Sequence, residues 1–102
     1  MRQVINGLLF DTDKAQEVAR DWDGHASDYH HWCETLYKTK SGRWFLACRG
    51  GPMSQHAKKS ADGWTGDRYL KPITAPEALA WLERAGYADT ALEHFSAQIE
   101  EA

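Results

Sequence analysis

The alternation of apolar and polar positions at the start of the chain predicts a β-hairpin. Asn6-Gly7 separates two short apolar runs, and both central positions of a type I′ turn need the positive φ angle that Asn and Gly tolerate. We therefore expect strands at about residues 3–5 and 8–10.

Two segments rich in aromatic and β-branched residues predict a second antiparallel hairpin, at residues 32–38 and 43–49. Gly42 suits the left-handed position of a three-residue loop, and that loop would set Glu34 opposite Cys48. A four-residue loop would set Cys33 opposite Cys48 instead. The sequence leaves both registers open, and a slip of one residue exchanges the two faces of a strand.

Helical spacing predicts three helices, at about residues 13–22, 75–85 and 90–100. The first has apolar residues at i, i+3, i+4 and i+7, namely Ala15, Val18, Ala19 and Trp22. The second opens on a capping box, Thr74 with Glu77, and Pro76 lies in its first turn. The expected core is Val18, Trp22, Leu36, Leu46, Leu79, Leu82, Phe95 and Ile99.

The remaining segments complete the fold prediction. Residues 50–66 hold most of the turn-forming residues and are predicted to be a long, partly mobile loop or a poorly formed helix. Residues 69–73 are predicted to form a further strand. We thus expect residues 1–102 to form a single α+β domain. Its small antiparallel β-sheet is built from two hairpins plus a further strand and is packed by about three helices.

Charge is strongly segregated along the chain. Residues 38–71 carry eight basic and two acidic side chains, whereas the flanking segments carry net charges of −4 and −5. Such a field orients encounters with a charged partner. No apolar run approaches the roughly 20 residues that span a bilayer, and no signal-peptide core follows the N-terminus. We expect a cytoplasmic protein with no membrane contact and with reduced Cys33 and Cys48.

Several short motifs together resemble a family of small single-domain proteins encoded on phages, plasmids and integrated elements. They are Val4-Ile5-Asn6-Gly7, Thr35-Leu36-Tyr37, Gly42 with Phe45-Leu46, Gly50-Gly51-Pro52-Met53-Ser54, and the helix from Glu77 to Trp81. The resemblance implies mobile-element cargo that acts on host defence or replication machinery by binding it. It transfers no catalytic signature.

The histidines and cysteines are the residues that could predict a metal site or a catalytic site. The candidate zinc ligands are His25, His30, His31, Cys33, Cys48 and His56. Only His31-Trp32-Cys33 brings two of them close, and no second pair follows, so we expect no metal and no cofactor. Both cysteines lie in apolar strands, where an inert packed thiol is typical. Gly50-Gly51-Pro52 lacks the phosphate-loop pattern, and we expect no enzyme.

The basic middle, interleaved with aromatic residues, is the predicted partner-binding surface. Its candidate residues are Lys38, Lys40, Arg43, Arg49, Lys58, Lys59, Trp64 and Arg68. Trp64 is either an exposed anchor or a loop residue folded onto the core.

Two functions compete for this surface. The leading hypothesis is a non-enzymatic, anti-CRISPR-like inhibitor that binds a host protein or ribonucleoprotein complex through the basic hairpin and the 50–66 loop, or through the acidic helices. The alternative is direct binding of nucleic acid by the basic surface. The alternative requires the acidic segments to lie on the opposite face.

Overall fold

The computed structural model describes residues 1–25 and 27–102. In this part of the chain, strands come first and helices last. The strands are β1 (Arg2–Ile5), β2 (Leu8–Asp11), β3 (Gln16–Asp23), β4 (Trp32–Lys38), β5 (Trp44–Gly50), β6 (Lys58–Ser60), β7 (Gly63–Thr65) and β8 (Asp67–Ile73). The helices are α1 (Ala75–Ala85) and α2 (Ala88–Phe95), followed by a 3₁₀ turn at Ser96–Gln98. The fold is α+β, as predicted.

A four-stranded antiparallel sheet in the order β3-β4-β5-β8 forms the centre of the molecule. One face packs against α1 and α2, around Leu36, Trp81 and Leu82. The other face packs against the hairpin of β1 and β2, through Phe10 and Phe45. Different parts of the chain therefore pack against the two faces of the central sheet. None of the described helices is both long and apolar enough to cross a membrane.

The N-terminal hairpin forms as predicted. Ile5 pairs with Leu8 across a two-residue turn, in which Asn6 has a φ of 51° and Gly7 a φ of 78°. These positive angles are the ones that a type I′ turn requires. The hairpin forms its own two-stranded sheet and packs on the central sheet through Phe10.

The helix predicted at 13–22 is wrong, because most of this segment forms strand β3. The Asp11 side chain accepts from the Asp13 amide at 2.9 Å, but the hydrogen bonds that follow close only a turn. β3 then pairs with β4 along its length, with a bulge between Glu17 and Ala19. Long-range pairing with β4 therefore overrides the local helical spacing.

The expected core is correct except for Trp22, which is 62% exposed. Leu36, Leu46, Leu82 and Phe95 are buried, and Val18, Leu79 and Ile99 are partly buried against the same cluster. Trp22 departs from this set because a helix and a strand direct the same residue to different faces.

The central hairpin takes the register of the three-residue loop. Glu34 pairs with Cys48 and Leu36 with Leu46, whereas Cys33 pairs with Arg49. Successive residues of a strand point to opposite faces. Cys48 belongs to the helix-covered cluster, and Cys33 therefore points to the other face. Both cysteines are buried free thiols.

Residues 50–66 contain more regular secondary structure than predicted. β6 and β7 form a small hairpin closed by a pairing of Ser60 with Gly63. Gly63 has a φ of 129°, which glycine adopts without a steric penalty. The prediction of a long loop missed this Ala61-Asp62 turn because no apolar alternation flanks it.

The described residues form two α-helices, both near the C-terminal end. The predicted total of about three is too high because no helix forms at residues 13–22. The capping box at the start of α1 is present, with Thr74 and Glu77 satisfying each other's amides. Gly86 ends α1 in the left-handed conformation. α2 begins earlier and ends earlier than the predicted 90–100.

Candidate functional site

One face of the central sheet is only half covered. The N-terminal hairpin packs on the half that contains Phe45 and Leu70. Side chains alternate along a strand, so Arg49 on β5 and Arg68 on β8 point to this same side, at the other end of the sheet. Both arginines are exposed. This half of the face is open to a partner.

Two rows of cross-strand neighbours form the open half and its border with the half that the hairpin covers. The open row is Trp22, Cys33, Arg49 and Arg68, and the border row is Arg20, Thr35, Ala47 and Leu70, of which Ala47 and Leu70 pack with the hairpin. Because neighbouring strands lie about 4.8 Å apart, Arg49 and Arg68 are adjacent and Arg20 flanks them across β4. A groove of about 340 Å³ is lined by all three arginines. We call the surface formed by Arg20, Trp22, Arg49 and Arg68 the arginine face.

The charges of the arginine face are largely uncompensated. Arg20 contacts Glu17 at 3.2 Å, but both side chains are half exposed, and such pairs contribute little. Among the described residues, no carboxylate lies within 4.0 Å of the guanidinium group of Arg49 or Arg68. These two groups can therefore donate to an anionic partner, with the planar geometry that suits phosphate or carboxylate oxygens.

The acidic C-terminal segment lies on the other side of the sheet. α1 and α2 cover the face that carries Leu36 and Leu46. Their acidic side chains are exposed there, namely Glu77, Glu83, Asp89 and Glu93. The acids of α1 and α2 therefore do not face a partner on the arginine face.

The hairpin tip carries Lys40 and Arg43, both exposed. Arg43 stands six residues before Arg49, which is about 20 Å along a strand. The tip and the arginine face are therefore separate surfaces. Lys38 belongs to neither, because its ammonium group lies over the Trp44 ring, 5.2 Å from the centroid, in a cation–π contact.

The last three predicted residues lie on the small hairpin. Lys59 on β6 pairs with Trp64 on β7, and Lys58 pairs with Thr65. Trp64 is 62% exposed, so it does not fold onto the core.

Arg20 and Trp22 were missed as site residues. The helix predicted for their segment separated them from Arg49 and Arg68. A strand predicted at residues 16–23 would have placed Arg20 and Trp22 together, because residues 20 and 22 share one face of a strand.

A second group of reactive side chains is buried between the sheet and α1. His56 Nε2 lies 2.6 Å from Glu34 Oε2, and His56 Nδ1 lies 2.8 Å from the Tyr69 hydroxyl. Trp81 Nε1 donates to Glu34 Oε1 at 2.8 Å. Cys48 lies beside them, with its ligand atom within 4.8 Å of those of Glu34 and His56. We call these five residues the buried polar cluster.

The thiol of this cluster is not an activated nucleophile. Burial and, next, the charge of Glu34 raise the pKa of Cys48 to about 12. A reactive cysteine needs the opposite shift. Burial, followed by the charge of Cys48, likewise raises the pKa of Tyr69 to about 12. Both groups stay protonated near neutral pH, when no cation is bound beside them.

The molecule therefore presents one open, basic surface and one closed, polar cluster. The open surface can bind an extended anionic partner, and the closed cluster can hold the sheet, α1 and the segment after β5 together. In comparisons with protein-family models, with curated proteins and with solved structures, no match to this chain is found.

Proposed function

We propose that this chain is a non-enzymatic protein that binds single-stranded nucleic acid across the arginine face. The observation that carries the proposal is the alignment of Arg20, Arg49 and Arg68 from three strands in one groove. The acids of α1 and α2 lie on the opposite side of the sheet. This placement keeps the acids of the C-terminal segment away from a polyanion on the arginine face.

Trp22 favours a single strand over a duplex as the ligand. Its ring is 62% exposed and stands in the same cross-strand row as Arg49 and Arg68. An exposed aromatic ring beside arginines can stack on an unpaired base while the arginines contact phosphates. A duplex buries its base faces and offers no such contact.

Reversing two arginines tests the proposal. Arg49→Glu with Arg68→Glu is expected to weaken binding of a fluorescent oligonucleotide of about 16 nucleotides by about 100-fold, because each loses a charge-assisted hydrogen bond. Fluorescence anisotropy at several salt concentrations measures the affinity for the oligonucleotide. The slope of log affinity against log salt should also fall by about 1.4, or 0.7 for each lost phosphate contact.

The hairpin tip supplies a matched control. Lys40→Glu with Arg43→Glu changes the net charge by the same amount but lies away from the arginine face, so the affinity should change by only a few-fold. Trp22→Ala should weaken binding about tenfold with little change in the salt slope, since stacking is lost and no phosphate contact is. Equal losses from both double reversals, or no measurable binding by the unchanged protein, would contradict the proposal.

The second candidate is an inhibitor that binds a host protein or ribonucleoprotein complex, as the mobile-element resemblance implies. The exposure of Trp64 beside Lys59 supports it, because exposed tryptophans are frequent anchors in protein interfaces. A tagged pull-down from a bacterial lysate, with and without nuclease, separates the two. Capture that survives nuclease and is lost in Trp64→Ala supports the inhibitor; capture lost with nuclease supports nucleic-acid binding.

A further inference from the structure

The buried polar cluster combines three kinds of metal ligand from separate parts of the chain. Glu34 on β4, Cys48 on β5 and His56 after β5 each offer one atom, and these atoms lie within 4.8 Å of one another. Carboxylate oxygen, thiolate sulfur and imidazole nitrogen are together the donor set of zinc sites. We propose that Glu34, Cys48 and His56 form a zinc-binding site.

The orientation of two ligands supports this assignment. Glu34 Oε1 is occupied by the Trp81 indole N–H, and His56 Nδ1 by the Tyr69 hydroxyl, both at 2.8 Å. The remaining atoms, Glu34 Oε2 and His56 Nε2, face each other. In zinc sites the second polar atom of a ligating histidine or carboxylate is typically held by such a neighbouring group. Trp81 and Tyr69 would thus act as positioning residues.

The geometry needs only a small adjustment to accept the ion. Zinc–ligand bonds of about 2.0–2.3 Å at tetrahedral angles place ligand atoms about 3.4 Å apart. The contact of Oε2 with Nε2, now 2.6 Å, would open by about 0.8 Å, and the sulfur of Cys48 would move closer. The Glu34 side chain is 17% exposed, so a solvent molecule can reach the fourth position.

Zinc binding would move one proton within the cluster and release another to solvent. Zinc needs a free lone pair on His56 Nε2, so the proton held in the contact between Glu34 and His56 must move to Nδ1, where the Tyr69 hydroxyl can accept it. The Cys48 thiol loses its proton to solvent and becomes a thiolate ligand. Each ion bound therefore releases one proton. The ion would join β4, β5 and the segment after β5.

Cobalt is the direct probe of this site. The full chain, first treated with a chelator and then dialysed, is titrated with Co²⁺. We expect one equivalent to produce a thiolate-to-cobalt charge-transfer band together with the visible bands of a tetrahedral ion. Zn²⁺ should displace the cobalt. At a free concentration of about 100 times its Kd, Zn²⁺ should raise the melting temperature by about 10 °C.

Variants assign the ligands. Cys48→Ser should remove the charge-transfer band. Cys33→Ser should retain it, because Cys33 is a buried thiol on the other face of the sheet. Glu34→Gln should weaken cobalt binding at least about tenfold. The titration of the unchanged protein does not depend on any variant folding. Absence of the band and of the zinc-dependent melting shift in that protein would overturn the proposal, as would a band that persists in Cys48→Ser.

Discussion

Phe45→Ala is expected to lower the free energy of unfolding by about 3–5 kcal/mol. Phe45 is fully buried, at 0% exposure, in an inner strand of the central sheet. Its ring stacks on Tyr37 at a centroid distance of 5.1 Å and meets Phe10 edge-on at 5.4 Å. Truncation leaves a cavity and removes the main contact of the N-terminal hairpin. A domain of this size is stable by about 5–15 kcal/mol, so the loss is a large fraction.

Trp22→Ala is the matched control, because it truncates an aromatic residue that points to the same side of the same sheet. Trp22 is 62% exposed, so the loss should stay below about 1 kcal/mol. Urea denaturation followed by circular dichroism measures both variants. Similar losses in the two would mean that Phe45 is not the centre of this core, and a large loss for Trp22 would place it in the interior.

The hairpins β1–β2 and β4–β5 could be predicted because their signals are local. Asn6-Gly7 specifies its turn through the φ angles of two adjacent residues, and Gly42 does the same with a φ of 89°. The capping box of α1 is equally local, since Thr74 and Glu77 satisfy each other's amides. Such signals lie within a few residues, and no distant contact can easily override them.

β3 could not be predicted in this way. Its apolar residues have the spacing of a helix, and only the presence of β4 as a partner makes the strand more favourable. The decisive interactions join positions such as Asp23 and Trp32, or Glu17 and Tyr37, across a connection whose path the sequence does not specify. β-propensity depends on such neighbours more than helix propensity does.

The candidate sites show the same limit. Arg49 and Arg68 were found from the basic composition of their segment, but their alignment with Arg20 follows from the register of four strands. The buried polar cluster was missed for a related reason. Cys48 and His56 were considered as ligands, but Glu34, from another strand, was not, because its proximity depends on the hairpin register. No spacing rule in one stretch of sequence encodes it.

The buried polar cluster should stabilise the fold even without a metal ion. His56→Ala, measured with a chelator present, is expected to lower the free energy of unfolding by about 2–3 kcal/mol. His56 is 7% exposed and the Glu34 side chain 17%. Without the imidazole, Glu34 keeps only the Trp81 N–H as a donor, and the Tyr69 hydroxyl loses its partner. Partial exposure of Glu34 lets water compensate in part, which places the loss below that of a fully buried pair.

The effect should also be local. The segment of residues 51–57 is joined to the sheet through His56, and its own hydrogen bonds are short-range turns apart from those of Gly51 and Met53 to His31 and Tyr29. Loss of His56 should therefore speed hydrogen exchange at the amides of Ser54 and Ala57 before it affects β5.

His30→Ala is the control, since that side chain is 70% exposed and should change stability by no more than about 0.5 kcal/mol. Combining His56→Ala with Glu34→Gln then completes a double-mutant cycle. A coupling of about 1 kcal/mol or more is expected, because the two residues share one hydrogen bond in a network. Independent effects of the two changes, with unaltered exchange at Ser54, would show that the contact between Glu34 and His56 does not hold this segment to the sheet.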